Sequence, residues 1–144
     1  MDNRKILVVD DEEDMRIFVS TVVETMGFVP ITAENGTQAL KKARTAVPVL
    51  VILDVMMPKI EDGILAYQQF RTDEQLLHIP IIMLSAIAKK TFFHFLRMLS
   101  PQKGPHVPEP EAYMEKPPDA AELIKMIEEL LINKNVIVHR GQNL

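Results

Sequence analysis

The residues best suited to chemistry in this chain are polar residues that each follow a short apolar run. They are Asp10, Asp11, Asp54, Ser85 and Lys116. Three carboxylates placed together repel one another, and a hard divalent cation relieves that repulsion. An incomplete set of oxygen ligands suits Mg²⁺, which retains several waters. Together with a lysine ammonium and a serine hydroxyl, such a set can hold a phosphoryl group on a carboxylate by positioning it and neutralising its charge.

These residues can meet only if the ends of the apolar runs lie together in the fold. Runs such as Lys5–Val9, Val49–Leu53 and Pro80–Leu84 alternate with longer segments of helical periodicity. Strands that are apolar on both faces are typical of a parallel sheet covered on both sides. Right-handed crossovers then predict an α/β fold, a three-layer α/β sandwich with a five-stranded parallel sheet. In such a sheet the carboxyl ends of the strands share one edge, where ligands bind.

Helix starts in the predicted fold are marked by residues that cap backbone N–H groups. Asn35, Asp62 and Asp119 are each placed to begin a helix, and Glu122 follows Asp119 at the spacing of a capping box. Each of the five polar residues also has an ordinary structural explanation when taken alone, since an Asp after a strand is common in turns and a Lys is usually solvated. These single-residue explanations do not account for the placement of all five residues after four different strands.

Composition excludes several classes of function. The chain has 144 residues, the size of one domain, with 47% apolar and 25% charged residues. The absence of cysteine excludes disulfides, thiolate metal sites and cysteine nucleophiles. No apolar run approaches the ~20 residues of a membrane span. A net charge of −4 without a basic block argues against direct nucleic-acid binding. These features favour a cytoplasmic domain without membrane contact.

Four motifs in the chain resemble those of a known family, the response-regulator receiver domain (CheY-like) of two-component signalling. They are Val8-Val9-Asp10-Asp11-Glu12, Leu53-Asp54-Val55-Met56-Met57-Pro58, Leu84-Ser85-Ala86 and Tyr113-Met114-Glu115-Lys116-Pro117. The resemblance extends from about Lys5 to Ile132. It implies a flavodoxin-like fold with strand order 2-1-3-4-5.

The resemblance also implies a role for each residue of the acidic set. Asp54 would be the phosphoacceptor. Mg²⁺ would be bound by Asp10, Asp11 and Asp54, together with the backbone carbonyl of Met56.

Further roles follow from the same resemblance at the next two strands. Ser85 and Lys116 would contact the phosphoryl group, and the small Ala86 would leave space beside it. Tyr113 would be the switch residue, turning inward when Ser85 is drawn to the phosphoryl group. The bond before Pro117 would be cis.

The chain departs from the family pattern in two places. Lys59-Ile60-Glu61 separates Pro58 from Asp62-Gly63 by one residue more than is usual. The stretch between Ser85 and Lys116 is also longer than one helix, one short strand and two loops require. We therefore predict a Pro-rich insertion at about residues 100–110, within a receiver domain over residues 1–134 that is followed by a tail at residues 135–144.

The partners expected from the resemblance are a sensor histidine kinase or phosphotransfer protein and an output protein. Phe93 and Met98 lie off the apolar stripe of the fourth helix, so either the Pro-rich loop folds back over them or they form a contact surface. The resemblance implies that a partner or a second copy of the chain would dock on the surface between the fourth and fifth helices. We expect a stand-alone receiver that accepts a phosphoryl group and is not otherwise an enzyme. Two alternatives stay open: a phosphorylation-independent protein-interaction domain, and an aspartate-nucleophile phosphohydrolase of the haloacid dehalogenase type.

Overall fold

A computed structural model describes residues 4–99 and 107–134, in which five strands alternate with five helices. The strands are β1 (Lys5–Val9), β2 (Val29–Ala33), β3 (Leu50–Leu53), β4 (Ile81–Ser85) and β5 (Ala112–Glu115). The helices are α1 (Glu13–Thr25), α2 (Gly36–Ala46), α3 (Ile60–Thr72), α4 (Lys89–Leu99) and α5 (Ala120–Asn133). The predicted alternation is confirmed, and no strand end differs from the sequence-based one by more than one residue.

The five strands form one parallel sheet in the order β2-β1-β3-β4-β5. This order confirms the predicted flavodoxin-like topology. Val9 is in register with Leu53, so β1 and β3 end side by side. Pro30 lies in β2, an edge strand, where the missing N–H is tolerated.

Alternate residues of the central strands fill two separate apolar cores, one on each face of the sheet. In β1, Leu7 and Val9 face the core that includes residues of α2, α3 and α4. Ile6 and Val8 face the core formed with α1 and α5. All four side chains are almost fully buried, as expected for strands covered on both faces. The three layers hold the carboxyl ends of β1, β3, β4 and β5 at one edge.

Two of the three predicted helix caps are confirmed and one is wrong. The side chains of Asn35 and Asp119 accept hydrogen bonds from the backbone N–H groups of Gln38 and Glu122. Asp62 is not the first residue of α3, because the helix begins at Ile60. Asp62 lies in the first turn, and its carboxylate instead accepts a hydrogen bond from the Lys59 N–H at 3.2 Å.

The fourth helix is only partly buried. Phe92 and Leu96 lie in the core and Phe93 packs at its border, whereas the Met98 side chain is 63% exposed. Residues 107–110 of the predicted insertion have no regular secondary structure. The rest of the insertion and the predicted tail lie outside the described residues, so both domain boundaries stay predictions. No helix in the described part of the chain is long and apolar enough to cross a membrane.

Candidate functional site

An acidic pocket lies at the carboxyl edge of the sheet, where the ends of β1 and β3 meet. One carboxylate oxygen from each of Asp10, Asp11, Glu12 and Asp54 lies within 4.8 Å of the others. Asp10 and Asp54 are buried, whereas Asp11 and Glu12 are exposed. The Asp54 N–H donates to the Val9 carbonyl at 2.9 Å, which fixes Asp54 beside the end of β1.

The turn between β1 and α1 is held by hydrogen bonds between side chains and its backbone. Asp10 Oδ1 accepts a hydrogen bond from the Glu12 N–H at 2.9 Å. The Arg16 guanidinium, one turn into α1, donates to the Asp10 carbonyl at 2.8 Å and approaches Glu34 at 3.4 Å. Arg16 therefore ties the Asp10 backbone to both α1 and the end of β2, a contact that the sequence motifs did not predict.

The loop after Asp54 is fixed by a close approach between backbones. A Cβ atom on Gly63 would lie 1.7 Å from the carbonyl oxygen of Val55, so only glycine fits there. Asp54 Oδ1 accepts a hydrogen bond from the Met56 N–H at 3.2 Å. The Met57–Pro58 bond is cis, which the sequence motifs did not predict.

Lys116 links all the buried charges of the pocket. Its Nζ lies 2.9 Å from Asp10 Oδ2, 3.0 Å from Glu12 Oε1 and 3.5 Å from Asp54 Oδ2. The Lys116 N–H donates to the Ser85 carbonyl at 2.8 Å, which aligns the end of β5 with the end of β4. The Lys116–Pro117 bond is cis.

Burial shifts the acidity of these groups. Desolvation, and then the neighbouring charge of Asp10, raise the pKa of Asp54 to about 7. Desolvation also raises the pKa of Asp10. Burial alone would lower the pKa of Lys116, but its hydrogen bond to Asp10 and the charge of Asp54 outweigh that effect and raise it. The pocket is therefore crowded with negative charge that one lysine only partly balances.

Ser85 and Tyr113 lie beside the pocket on the adjoining strands. Ser85 is fully buried, and its Oγ accepts from the Ile87 N–H at 3.4 Å. The Tyr113 hydroxyl donates to the Ile87 carbonyl at 2.8 Å, and burial raises the pKa of Tyr113 to about 12. Ala86, which follows Ser85, is exposed.

The donor set of the pocket fits a hard divalent cation. Four carboxylates that converge from two strand ends supply the oxygen ligands that Mg²⁺ prefers. The roles of Asp10, Asp11 and Asp54 as metal ligands, and that of the Met56 carbonyl, stay predictions. Sequence reasoning did not single out Glu12, although its place directly after Asp10-Asp11 was a signal that it would reach the same pocket.

The comparisons with known proteins agree with this geometry. A sequence model of the family described as response regulator receiver domain matches residues 6–128. The chain is 50% identical over 84 residues to the alkaline phosphatase synthesis transcriptional regulatory protein PhoP of Bacillus subtilis, an alignment that covers 58% of this chain and 34% of that protein. The chain thus spans about a third of the length of that relative.

Two further matches cover most of the chain. It is 33% identical over 129 residues to the hybrid signal transduction histidine kinase D of Dictyostelium discoideum, covering 90% of this chain and 8% of that protein. Among solved structures it resembles the Vibrio cholerae chemotaxis protein CheY4, with a TM-score of 0.74 and 26% sequence identity, covering 90% of this chain and all of that one.

Proposed function

Because the chain belongs to the response regulator receiver domain family, we propose that it accepts a phosphoryl group on Asp54 from a histidine kinase or a phosphotransfer protein. The observation that carries the proposal is the position of Lys116, whose Nζ contacts Asp10, Glu12 and Asp54 at once. A structural role for these acids would not require them to be gathered around one buried cation. Phosphoryl transfer depends on positioned charges of this kind, which supports the proposal.

In the proposed transfer, an Asp54 carboxylate oxygen forms a bond to phosphorus as the bond between phosphorus and the donor histidine nitrogen breaks. The nitrogen leaves with the bonding electron pair and is free to take up a proton. A bound Mg²⁺ would neutralise charge on the phosphoryl oxygens. Asp10 and Asp11, with the Met56 carbonyl, would hold that ion, while Lys116 would turn from Asp10 and Glu12 towards the phosphoryl group. The protein accepts the group and assists its own phosphorylation and dephosphorylation, and we propose no other catalysis.

The response to phosphorylation is proposed to begin at Ser85. Its hydroxyl would bind a phosphoryl oxygen, beside the space left by the small Ala86. The Tyr113 hydroxyl already donates a hydrogen bond to the Ile87 carbonyl, two residues after Ser85. A shift of the Ser85–Ile87 backbone would therefore reach Tyr113 directly, and through it the surface between α4 and α5.

That surface offers a place for an output protein or a second copy of the chain. A groove of about 500 Å³ beside α4 and β5 is lined by Lys89, Phe93, Arg97 and Glu115, among others. We expect Phe93→Glu to abolish partner binding or phosphorylation-dependent self-association, measured by light scattering and pull-down with phosphorylated protein. Leu65→Glu, at an exposed site on α3, is the control. Unchanged association in Phe93→Glu would exclude this surface. A cytoplasmic location is part of the same proposal.

The acidic pocket can be tested directly by titration with beryllofluoride, a stable mimic of a phosphoryl group. We expect binding that requires Mg²⁺, measured by calorimetry, and that is lost in Asp11→Asn. Asp14→Asn is the control, because Asp14 lies outside the cluster in the first turn of α1. If the folded protein binds neither Mg²⁺ nor beryllofluoride, the proposal fails and a phosphorylation-independent interaction domain replaces it. Steady hydrolysis of p-nitrophenyl phosphate would instead support the phosphohydrolase.

A further inference from the structure

A buried polar cluster lies among α3, the start of β4 and the segment before β5. We name its three side chains, Tyr67, Arg71 and Glu111, the latch. Arg71 is 9% exposed, although it carries a full charge. Its Nε donates to the Tyr67 hydroxyl at 3.1 Å, one Nη to the Ile79 carbonyl at 3.2 Å, and the other forms an ion pair with Glu111. A buried guanidinium needs such partners to offset the loss of water.

The latch holds the chain where it enters β5. Glu111 directly precedes β5, and its carboxylate also accepts a hydrogen bond from the Ile81 N–H at 2.6 Å. The Tyr67 hydroxyl donates to the Pro108 carbonyl. Residues 108 and 111, which lie at and just beyond the end of the predicted insertion, are therefore tied to α3 and β4 by side-chain hydrogen bonds.

A row of aromatic rings joins the latch to the acidic pocket. The Tyr67 ring meets Phe92 edge-on at 6.0 Å between centroids, and Phe92 meets Tyr113 at 5.5 Å. Tyr67 and Phe92 are fully buried. The row ends at the Tyr113 hydroxyl, which donates to the Ile87 carbonyl beside Ser85. Because protein interiors are close-packed, one ring in this row cannot move far unless its neighbour also moves.

We propose that the latch positions Tyr113 through Phe92, so that the state of the latch and the state of the acidic pocket are energetically coupled. Tyr67, Arg71 and Glu111 are positioning residues in this proposal, since none of them touches the pocket. The use of this coupling in signalling rests on the proposed function. The packing that links the latch to Tyr113 does not depend on that function. The coupling would let a partner bound to the segment before β5 change the affinity for the phosphoryl group, and phosphorylation would change the affinity for that partner by the same factor.

The chain has only two tyrosines, one at each end of the ring row, so tyrosine labelling reports on both ends separately. We would label the tyrosine rings of the full chain with ¹³C, assign the two sets of signals with Tyr67→Phe, and record spectra with and without Mg²⁺ and beryllofluoride. We expect beryllofluoride to shift the Tyr67 signals as well as those of Tyr113. We also expect Glu111→Gln to shift the Tyr113 signals in the free protein.

The matched control is Asp73→Asn, which breaks the ion pair between Arg44 and Asp73 at the end of α3 without touching the ring row. Glu111→Gln should change the dissociation constant for Mg²⁺–beryllofluoride by about fivefold or more, the lower end of usual coupling factors. Asp73→Asn should leave it unchanged. Phe92→Leu keeps an apolar side chain and removes the ring, so it should abolish the response of Tyr67 while Tyr113 still responds.

The outcomes separate this proposal from the proposed function. If Glu111→Gln lowers the unfolding midpoint but leaves both the Tyr113 signals and the beryllofluoride affinity unchanged, the latch is only structural and the coupling is refuted. If the parent protein binds no beryllofluoride, the proposed function fails. In that case, a shift of the Tyr113 signals in Glu111→Gln would still establish that the latch positions Tyr113, and no shift would refute it. If Glu111→Gln fails to fold, Tyr67→Phe replaces it, because this variant keeps the ring and its effect on the Tyr113 signals can be measured in the same way.

Discussion

At the scale of single residues, the acidic pocket is a balance between one cation and several anions. Lys116 Nζ lies closer to Asp10 and Glu12 than to Asp54, so the residue proposed as phosphoacceptor is the least well compensated of the three. Burial and the charge of Asp10 act on Asp54 in the same direction. A divalent cation would offset this uncompensated negative charge, which is the physical reason for expecting one in the pocket.

The raised pKa of Asp54 predicts how stability depends on pH. Between its ordinary value of 3.8 and about 7, the folded protein holds a proton that the unfolded chain releases. The contribution of Asp54 to stability is therefore largest below that interval and is lost as pH rises through it, by at most about tenfold in the unfolding constant for each pH unit. Thermal unfolding of protein treated with EDTA would show this slope. The slope of stability against pH should be smaller in Asp54→Asn. Added Mg²⁺ should stabilise the parent protein most at the upper end of this pH interval. A slope unchanged by Asp54→Asn would contradict the assignment.

The sequence was sufficient to predict Asp10, Asp11, Asp54, Ser85 and Lys116 as neighbours, because parallel strands bring their carboxyl ends together. It did not reveal the pairing of Arg71 with Glu111. Both residues appear in the sequence as ordinary surface charges, and their meeting depends on the path that the chain takes between α4 and β5. A side chain whose partner lies 40 positions away on an irregular segment carries no local signal of that partner.

At the scale of elements, the loop between β3 and α3 holds the Asp54 side chain in place. Gly63→Ala would drive a Cβ into the Val55 carbonyl at 1.7 Å, next to Asp54. We expect a loss of at least 2 to 3 kcal/mol, roughly that of a severe overpacking mutation, measured by urea unfolding. Gly36→Ala is the control, because the nearest atom to its new Cβ would be the Ala66 Cβ at 3.0 Å, and the substitution should cost less. Equal costs in the two variants would show that the Gly63 contact relaxes without strain.

The end of α2 contains a strained residue that can be relieved. Val47 has φ of 47°, the left-handed region that a β-branched side chain rarely adopts, and its side chain is exposed. Val47→Gly should therefore raise the unfolding free energy by about 1 kcal/mol. Lys41→Gly, at an exposed position inside the same helix, should lower it by about 1 kcal/mol. Urea unfolding measures both. A destabilised Val47→Gly would show that its side chain makes a stabilising contact.

Helix boundaries were predicted less well than helices. Asn35 and Asp119 are caps because each is the last extended residue before its helix. Asp62 has a side chain equally suited to capping, but α3 begins two residues earlier. The Lys59 N–H donates to the Asp62 carboxylate instead, and the Asp62 N–H donates to the Lys59 carbonyl. Capping residues therefore predict where the first turn of a helix lies, but they do not predict its exact first residue.

At the scale of the whole molecule, the residues of both apolar cores within the described part of the chain lie between Ile6 and Leu131. We therefore expect a chain cut after residue 134 to keep the unfolding midpoint and Mg²⁺ affinity of the full chain, as measured by calorimetry. A chain cut after residue 126 would lose Ile127 and Leu131, both fully buried, and should not fold. If the first truncation already lowers the midpoint by several degrees, residues 135–144 belong to the domain and the predicted boundary is wrong.

The most direct test of the central claim is intact-mass measurement after incubation with acetyl phosphate. With Mg²⁺ present, the protein should gain the mass of one phosphoryl group, and the gain should disappear when Mg²⁺ is removed with EDTA. Asp54→Asn should show no gain under either condition, whereas Asp73→Asn, an acid outside the pocket, should behave as the parent does. A gain that survives in Asp54→Asn would contradict the account, as would a folded protein that gains nothing and binds no beryllofluoride.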